Sequence, residues 1–317
     1  MRKPSRRGRR GRPPVSPIVI LLLVAFIVTA WWLVHPRERT APRRVAQTTP
    51  QPLPTTTLAP PSPSPTTSPT PLPAASPSPL PSLAPVPARS PNGGAPRVAL
   101  IVDDCGQWID TERGFVALNI PLTMSVLPDV AYTGTIAKEA SAAGKGVMLH
   151  LPMETISGLN PGPGKVTTEM TDDQIEAQVE SDLAQVPLAA GVNNHEGSKG
   201  SADRRVMQDV ISVIAKHGGL FFIDSKTSPD SVASAVAQAN GVPTADRDVF
   251  LDNRADVAYT EGQLREAMAI ARRTGSAIAI GHPRPTTLEA VKAMIPEFEA
   301  DGIEFVLAGD LVVPAKS

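Results

Sequence analysis

From residue 98 onward the chain repeats one pattern. A short apolar run rich in β-branched residues is followed by a stretch with helical periodicity, and the pair recurs seven or eight times. The apolar runs fall at 98–102, 122–127, 147–151, 189–193, 220–223, 249–251, 277–280 and 303–307. Runs this continuous read as parallel strands buried on both faces. Helices are expected near 110–118, 132–143, 172–183, 202–217, 231–240, 261–274 and 287–300. Thr171 with Gln174, and Thr286 with Glu289, have capping-box spacing, and Gly144, Gly218, Gly241 and Gly275 stand where helices should end. Pro296 should kink the last helix or end it early. Such alternation predicts an α/β chain whose strands and helices form a βα barrel, with an open doubly wound sheet as the alternative.

The strand ends carry the functional signal. The run from Arg97 to Val102 stops at two adjacent carboxylates, Asp103 and Asp104, with Cys105 and Gly106 directly after. Like charges side by side raise each other's pKa, so a metal ion or a base role would account for the pair. The alternative is that one acid caps the next helix and the other faces water. The later runs end in Pro128-Asp129, His150 then Glu154, Asn193-Asn194-His195-Glu196, Asp224-Ser225, Asp252-Asn253 and Gly281-His282-Pro283. A barrel brings such ends to one mouth, so the convergence of acids and three of the five histidines predicts an active site there. His35 and His217 lie elsewhere, the latter in the last turn of a helix.

Composition divides the chain. Twelve of its 30 Lys and Arg, but only one of its 31 Asp and Glu, fall within residues 1–95. The remaining 18 basic and 30 acidic residues give 96–317 a formal charge of −12, which argues against a nucleic-acid partner. Residues 1–17 form a basic segment, and residues 18–34 an uncharged apolar run with Trp31 and Trp32 near its end. That run is long enough to span a bilayer, and the basic flank keeps the N-terminus in the cytoplasm. A cleaved signal peptide is the other reading of Val28-Thr29-Ala30, but the bulky tryptophans and the continuation to Val34 favour an anchor. Either way the domain is exported. Residues 35–95, built of Pro, Ser, Thr and Ala, form a disordered linker able to reach over about 100 Å. The domain is 96–317. Its single cysteine, Cys105, excludes an intramolecular disulfide and reads as a small packing residue.

Five segments together carry a resemblance to a known family: Ile101-Val102-Asp103-Asp104-Cys105-Gly106, Met148-Leu149-His150-Leu151-Pro152-Met153-Glu154, Gly191-Val192-Asn193-Asn194-His195-Glu196-Gly197-Ser198, Phe222-Ile223-Asp224-Ser225, and Ile278-Ala279-Ile280-Gly281-His282-Pro283. The domain resembles the divergent branch of the polysaccharide deacetylases, the NodB-like superfamily. The resemblance implies a distorted (β/α)7-8 barrel and metal-dependent removal of acetyl from an N-acetylated glycan, here in the cell envelope. By position, Asp103 would be the general base, and Asp104 and His150 metal ligands. The family's second motif histidine is Glu154 in this chain, and His195 on the next strand would supply the missing imidazole. His282 would be the general acid, held by Asp224. Glu154, Asn194 and Asp252 are candidates for contacts around the ligands or with substrate. A divalent ion, zinc foremost, is the implied cofactor. The implied localisation is the inner membrane, single-pass, with the domain outside the cytoplasm.

Other classes remain as alternatives. A glycosidase would need two carboxylates and no metal. A phosphotransferase with an Asp-x-Asp motif is disfavoured because Cys105 takes the place of the second acid. The segment 160–165 lacks phosphate-loop spacing and reads as a turn. A non-catalytic envelope protein that keeps the barrel and binds glycan or a protein partner is the main competitor.

Overall fold

The computed structural model describes residues 94–313. The basic segment 1–17, the anchor 18–34 and the linker 35–95, apart from Gly94 and Ala95, lie outside the described residues. Among the described residues, no helix is long and apolar enough to cross a membrane.

Among the described residues, nine strands form one sheet: β1 (Arg97–Cys105), β2 (Thr123–Val126), β3 (Gly146–Met153), β4 (Gly191–Glu196), β5 (Phe221–Asp224), β6 (Thr244–Asp246), β7 (Val249–Phe250), β8 (Ser276–Gly281) and β9 (Glu304–Val306). The helices between them are α1 (Ile109–Val116), α2 (Thr133–Ala142), α3 (Asp172–Gln185), α4 (Arg204–His217), α5 (Ala233–Ala239), α6 (Val257–Thr274) and α7 (Pro285–Ala300). Every strand ladder is parallel, in the order β6-β5-β4-β3-β2-β1-β8-β7. β8 fills one edge of β1, while β9 pairs with its first half and β2 with its second.

The expected closed barrel is a curled sheet that stops short of full pairing. β6 pairs with β5 and β7 with β8, but β6 and β7 do not pair with each other. Arg247 and Asp248 carry the chain across that gap. The Arg247 N–H donates to the Asp224 oxygen and the Asp248 N–H to the Ile278 oxygen. β6 itself was not anticipated, because Thr244-Ala245-Asp246 is short, partly polar and follows Pro243.

Two cores follow from the period-2 alternation of the strands. On β1, Val98, Leu100, Val102 and Cys105 pack under the helices, with Phe115, Ile136, Leu264 and Phe298. Ala99 and Ile101 point the other way and join Met148, Phe221, Ile223, Ile278 and Ile280 inside the curl. That inner plug fills the lower half of the curl and leaves the carboxyl ends of the strands for polar residues.

Helix ends agree with the sequence in most places. The capping box of Thr171 and Gln174 opens α3. Gly144, Gly218, Gly241 and Gly275 all adopt positive φ just beyond helices. Thr286 is not a cap: α7 begins at Pro285, whose fixed φ and missing N–H suit the first helical position. Nor does Pro296 end α7, which runs on to Ala300. Phe298, fully buried and stacked on Phe305 at 4.4 Å, anchors the final turn past the lost hydrogen bond.

Candidate active site and metal centre

The inward parity that builds the plug also delivers the site. One step beyond Ile101 on the same face is Asp103, beyond Met148 is His150, beyond Ile223 is Ser225, and beyond Ile280 is His282. β4 contributes Asn193 and His195 in register with His150 and Pro152 of β3. Asp104 breaks the alternation through a bulge. Three steps on β1, from Val102 to Cys105, oppose two on β2, from Met124 to Val126. Asp104 takes φ 57°, a left-handed conformation that L-residues rarely adopt. The extra residue turns Asp104 to the mouth beside Asp103 and returns Cys105 to the helix side, where it is fully buried. Burial pushes the Cys105 thiol well up, so it is a packing residue as expected. Gly106, at φ 110°, completes the turn; a Cβ there would lie 2.7 Å from Val130 Cγ2.

Asp104, His150 and His195 converge. Asp104 Oδ1 lies 3.1 Å from His150 Nε2 and 2.8 Å from His195 Nδ1, and the two ring nitrogens are 3.1 Å apart. A tetrahedral ion with bonds of about 2.0–2.1 Å needs ligand atoms about 3.3 Å apart, so the triangle is nearly the required size. The ring of His150 is oriented by Asn193. The Asn193 amide donates to Asp103 Oδ1 at 2.8 Å, which turns its oxygen toward Ser125 and His150. That oxygen accepts from His150 Nδ1 at 2.8 Å, leaving the Nε2 lone pair aimed at the Asp104 carboxylate. Two lone-pair atoms held face to face call for a proton or a cation between them, and a divalent ion satisfies all three groups at once.

The electrostatics agree with this arrangement. Burial opposes the charge of Asp104, but where protons take the place of the cation, hydrogen bonds from the protonated His150 and His195 outweigh it and hold the carboxyl far below its usual range. Burial pushes Asp103 up, and His150, His282 and Asn193 offset this only in part. Burial likewise disfavours the charged form of His150, but Asp103 and Asp104 prevail and raise its pKa.

The partner of His282 is not the expected one. Asp224 is fully buried but engaged elsewhere, accepting from the Lys226 N–H at 2.8 Å and the Ser231 hydroxyl at 2.7 Å. The carboxylate on His282 is Asp252, with Oδ1 at 2.9 Å from Nδ1 and Oδ2 accepting from the His282 N–H and the Thr287 hydroxyl. The reason is strand order: β8, which ends at Gly281 directly before His282, borders β7 and not β5. His282 Nε2 faces the site, 3.7 Å from Asp104 Oδ2. Burial disfavours the His282 cation, but the bond to Asp252 and the charge of Asp104 outweigh it and raise its pKa.

Glu154 does not reach the triangle. Its carboxylate takes Lys199 Nζ at 2.8 Å and the N–H and hydroxyl of Thr168, which outweigh its slight burial and lower its pKa to about 2. It pins the loop after β3. Asn194 ties the ends of β4 and β5 together, donating to the Glu196 oxygen and accepting from the Ser225 N–H. Asn193, Ser125, Phe250 and Arg284 belong to the site or its supports and were not singled out in the sequence; the inward parity of Asn193 with His195 was the available signal for the first. The mouth is a cavity of about 340 Å³ lined by Asp103, Asp104, the three histidines, Asn194, Ser225 and Asp252 among others.

Comparison with known proteins adds independent findings. A family model described as divergent polysaccharide deacetylase matches residues 100–312. The uncharacterized protein YibQ of Escherichia coli (strain K12) is 35% identical over 218 residues, covering 69% of this chain and 68% of that protein. An uncharacterized protein of Haemophilus influenzae is 33% identical over 226 residues, covering 69% and 80%. The crystal structure of an uncharacterized protein from Agrobacterium tumefaciens C58 superposes with a TM-score of 0.66 at 24% identity, over 73% of this chain and 100% of that one, and shares the fold.

Proposed function

The chain belongs to the divergent polysaccharide deacetylase family, and on that premise we propose that it removes acetyl groups from N-acetylated glycans in the cell envelope. The observation that carries this reading is the ligand triangle of Asp104, His150 and His195, flanked by a free carboxylate oxygen on one side and an imidazole with its own carboxylate on the other. Those three residues would hold the ion, and their mixed nitrogen and oxygen character suits zinc. When bound, a divalent ion supplies Lewis acidity toward a carbonyl oxygen and toward water.

The chain's own residues do the rest. Asn193 occupies Asp103 Oδ1, so Oδ2 is left to take the proton of the attacking water. Asp252 fixes the Nδ1–H of His282, which presents Nε2 to the departing amine and protonates it. Residues 18–34 tether the chain to the inner membrane and residues 35–95 space the domain from it, on the extracytoplasmic side.

Metal content by elemental analysis and acetate release from N-acetylated oligosaccharides test the reading. His195→Ala should weaken metal binding by more than about 100-fold, since it removes a ligand and not merely a support. Asp103→Asn should keep the metal and lower kcat by about 10²–10⁴-fold. A wild-type chain that neither carries nor takes up metal would sink the mechanism. Metal binding without acetate release from any glycan would favour the non-catalytic reading, a domain that binds glycan or a protein partner.

A further inference from the structure

The active-site mouth has a second chamber. A cavity of about 380 Å³ opens on the far side of Asp104 and His282, lined also by Trp108, Thr111, Pro283 and Arg284. Asp104, His282 and Arg284 border both chambers. A group of acetyl size needs little of this volume, so the second chamber has room for a neighbouring ring of the same ligand.

Three observations describe what that ring would meet. Trp108 is the domain's one tryptophan, and it is 51% exposed at this wall. Its backbone is held in place: Glu112 Oε1 accepts N–H bonds from Gly106, Gln107 and Trp108 at 2.9, 3.0 and 2.7 Å. Glu112 is fully buried and its Oε2 has no hydrogen-bond partner among the described residues. Three consecutive amides on one buried carboxylate fix the backbone from which the indole projects into this wall.

Arg284 is the only Lys or Arg among the described residues lining either chamber. Its one guanidinium hydrogen bond among these residues goes from Nη1 to the backbone oxygen of Asp252. The neighbouring cations are committed elsewhere: Lys226 to Asp246, Lys199 to Glu154, and Arg247 to the oxygens of Ser225 and Lys226. A half-buried guanidinium without a carboxylate, on the rim of an acidic domain, is matched by an anion on the ligand.

We propose that this chamber is a specificity subsite that stacks a sugar ring on Trp108 and pairs a carboxylate borne by that ring with Arg284. The subsite rests on the glycan reading above but not on catalysis. It makes the preferred ligand an N-acetylated oligosaccharide that carries carboxylates.

Binding to the full-length chain tests it by calorimetry. The probes are two tetrasaccharides with a carboxylate on alternate rings, one a hyaluronan fragment and one of alternating N-acetylglucosamine and N-acetylmuramic acid, each set against its methyl ester. The wild type should prefer at least one acid over its ester by about ten- to hundredfold, the range of a charge-assisted hydrogen bond. Arg284→Gln should bring that ratio close to one, and Arg284→Lys should restore part of it. Trp108→Ala should weaken acid and ester alike. Unchanged metal uptake serves as the check that each variant is folded. If the wild type does not distinguish acid from ester with either probe, or if Arg284→Gln keeps the preference, the subsite is wrong. If the preference follows Arg284 but no acetate is released, the subsite stands and the deacetylase reading falls.

Discussion

Asn193 shows how much one uncharged side chain can decide. Its amide is fully buried and touches Asp103, His150, Ser125 and Ser225. It fixes the tautomer of a proposed ligand histidine and the free oxygen of the proposed base in a single gesture. Asn193→Ala should leave the three ligands present but lower metal affinity by about 10–100-fold, as loss of a ligand's support does. Titration with a chromogenic zinc chelator measures this directly, and unaltered affinity would remove Asn193 from the account. Asp252 has the same standing toward His282. Burial works against its charge, yet the bonds from His282 and Thr287 outweigh it and hold the carboxyl below its ordinary range. Asp252→Asn should spare the metal and depress kcat, whereas Asp224→Asn, remote from His282, should mainly affect folding stability.

At the scale of elements, the rim is where backbone strain collects. Among the described residues, four other than glycine have positive φ: Asp104, Asp129, Glu196 and Lys226, each at or just past the carboxyl end of a strand. Such conformations persist only where the surroundings over-determine them. The turn after β1 is the best supported, by the three amides on Glu112. Burial raises the pKa of Glu112, and those amides offset it only in part. Glu112→Ala would strand three N–H groups at once and should cost about 3 kcal/mol or more. Glu112→Gln, which keeps an acceptor oxygen, should cost clearly less. Urea denaturation of both variants checks the order, and equal losses would mean that packing, not hydrogen bonding, fixes the turn.

Across the whole molecule, one carboxylate outside the site should shape the stability curve. Asp182 of α3 is fully buried, its Oδ2 lacks a partner among the described residues, and burial, with Asp129 nearby, raises its pKa to about 7. Gly164 lies so close over it that a Cβ there would meet Oδ1 at 2.7 Å. The unfolded chain releases this proton near the usual 3.8 and the folded chain holds it to about 7. Stability should therefore fall as pH rises through that window and level off above it, by as much as about 4 kcal/mol for this group. Asp182→Asn should flatten that part of the curve relative to wild type; thermal melts at pH 4.5 and pH 8 give the comparison. The proposed tether is tested at the same scale. Protease added to cells with a permeabilised outer layer should cut within 35–95 and release a soluble domain, and protection of that segment would reverse the orientation.

The strands β1, β3 and β8 were legible because their side chains are buried on both faces, which leaves a near-continuous apolar run. Asp103, Asp104, His150 and His282 stand in or just after these runs and His195 near the end of β4, and the fold places all five around one cavity. Period-2 alternation also held the reason Asn193 sits with His195. What alternation cannot encode is which strands are neighbours. Asp224 and Asp252 both follow short apolar runs, and only the placement of β7 beside β8 assigns Asp252 to His282. The bulge that brings Asp104 to the mouth is likewise a matter of register between β1 and β2, invisible in either strand alone. Glu154 was misplaced because the chain leaves the sheet at Met153, and its carboxylate then finds Lys199 and Thr168. Local pattern depends on the side chains of one segment and is written in the sequence. Pairing depends on the hydrogen bonds and packing of segments far apart in the chain, and these exist only once it has folded.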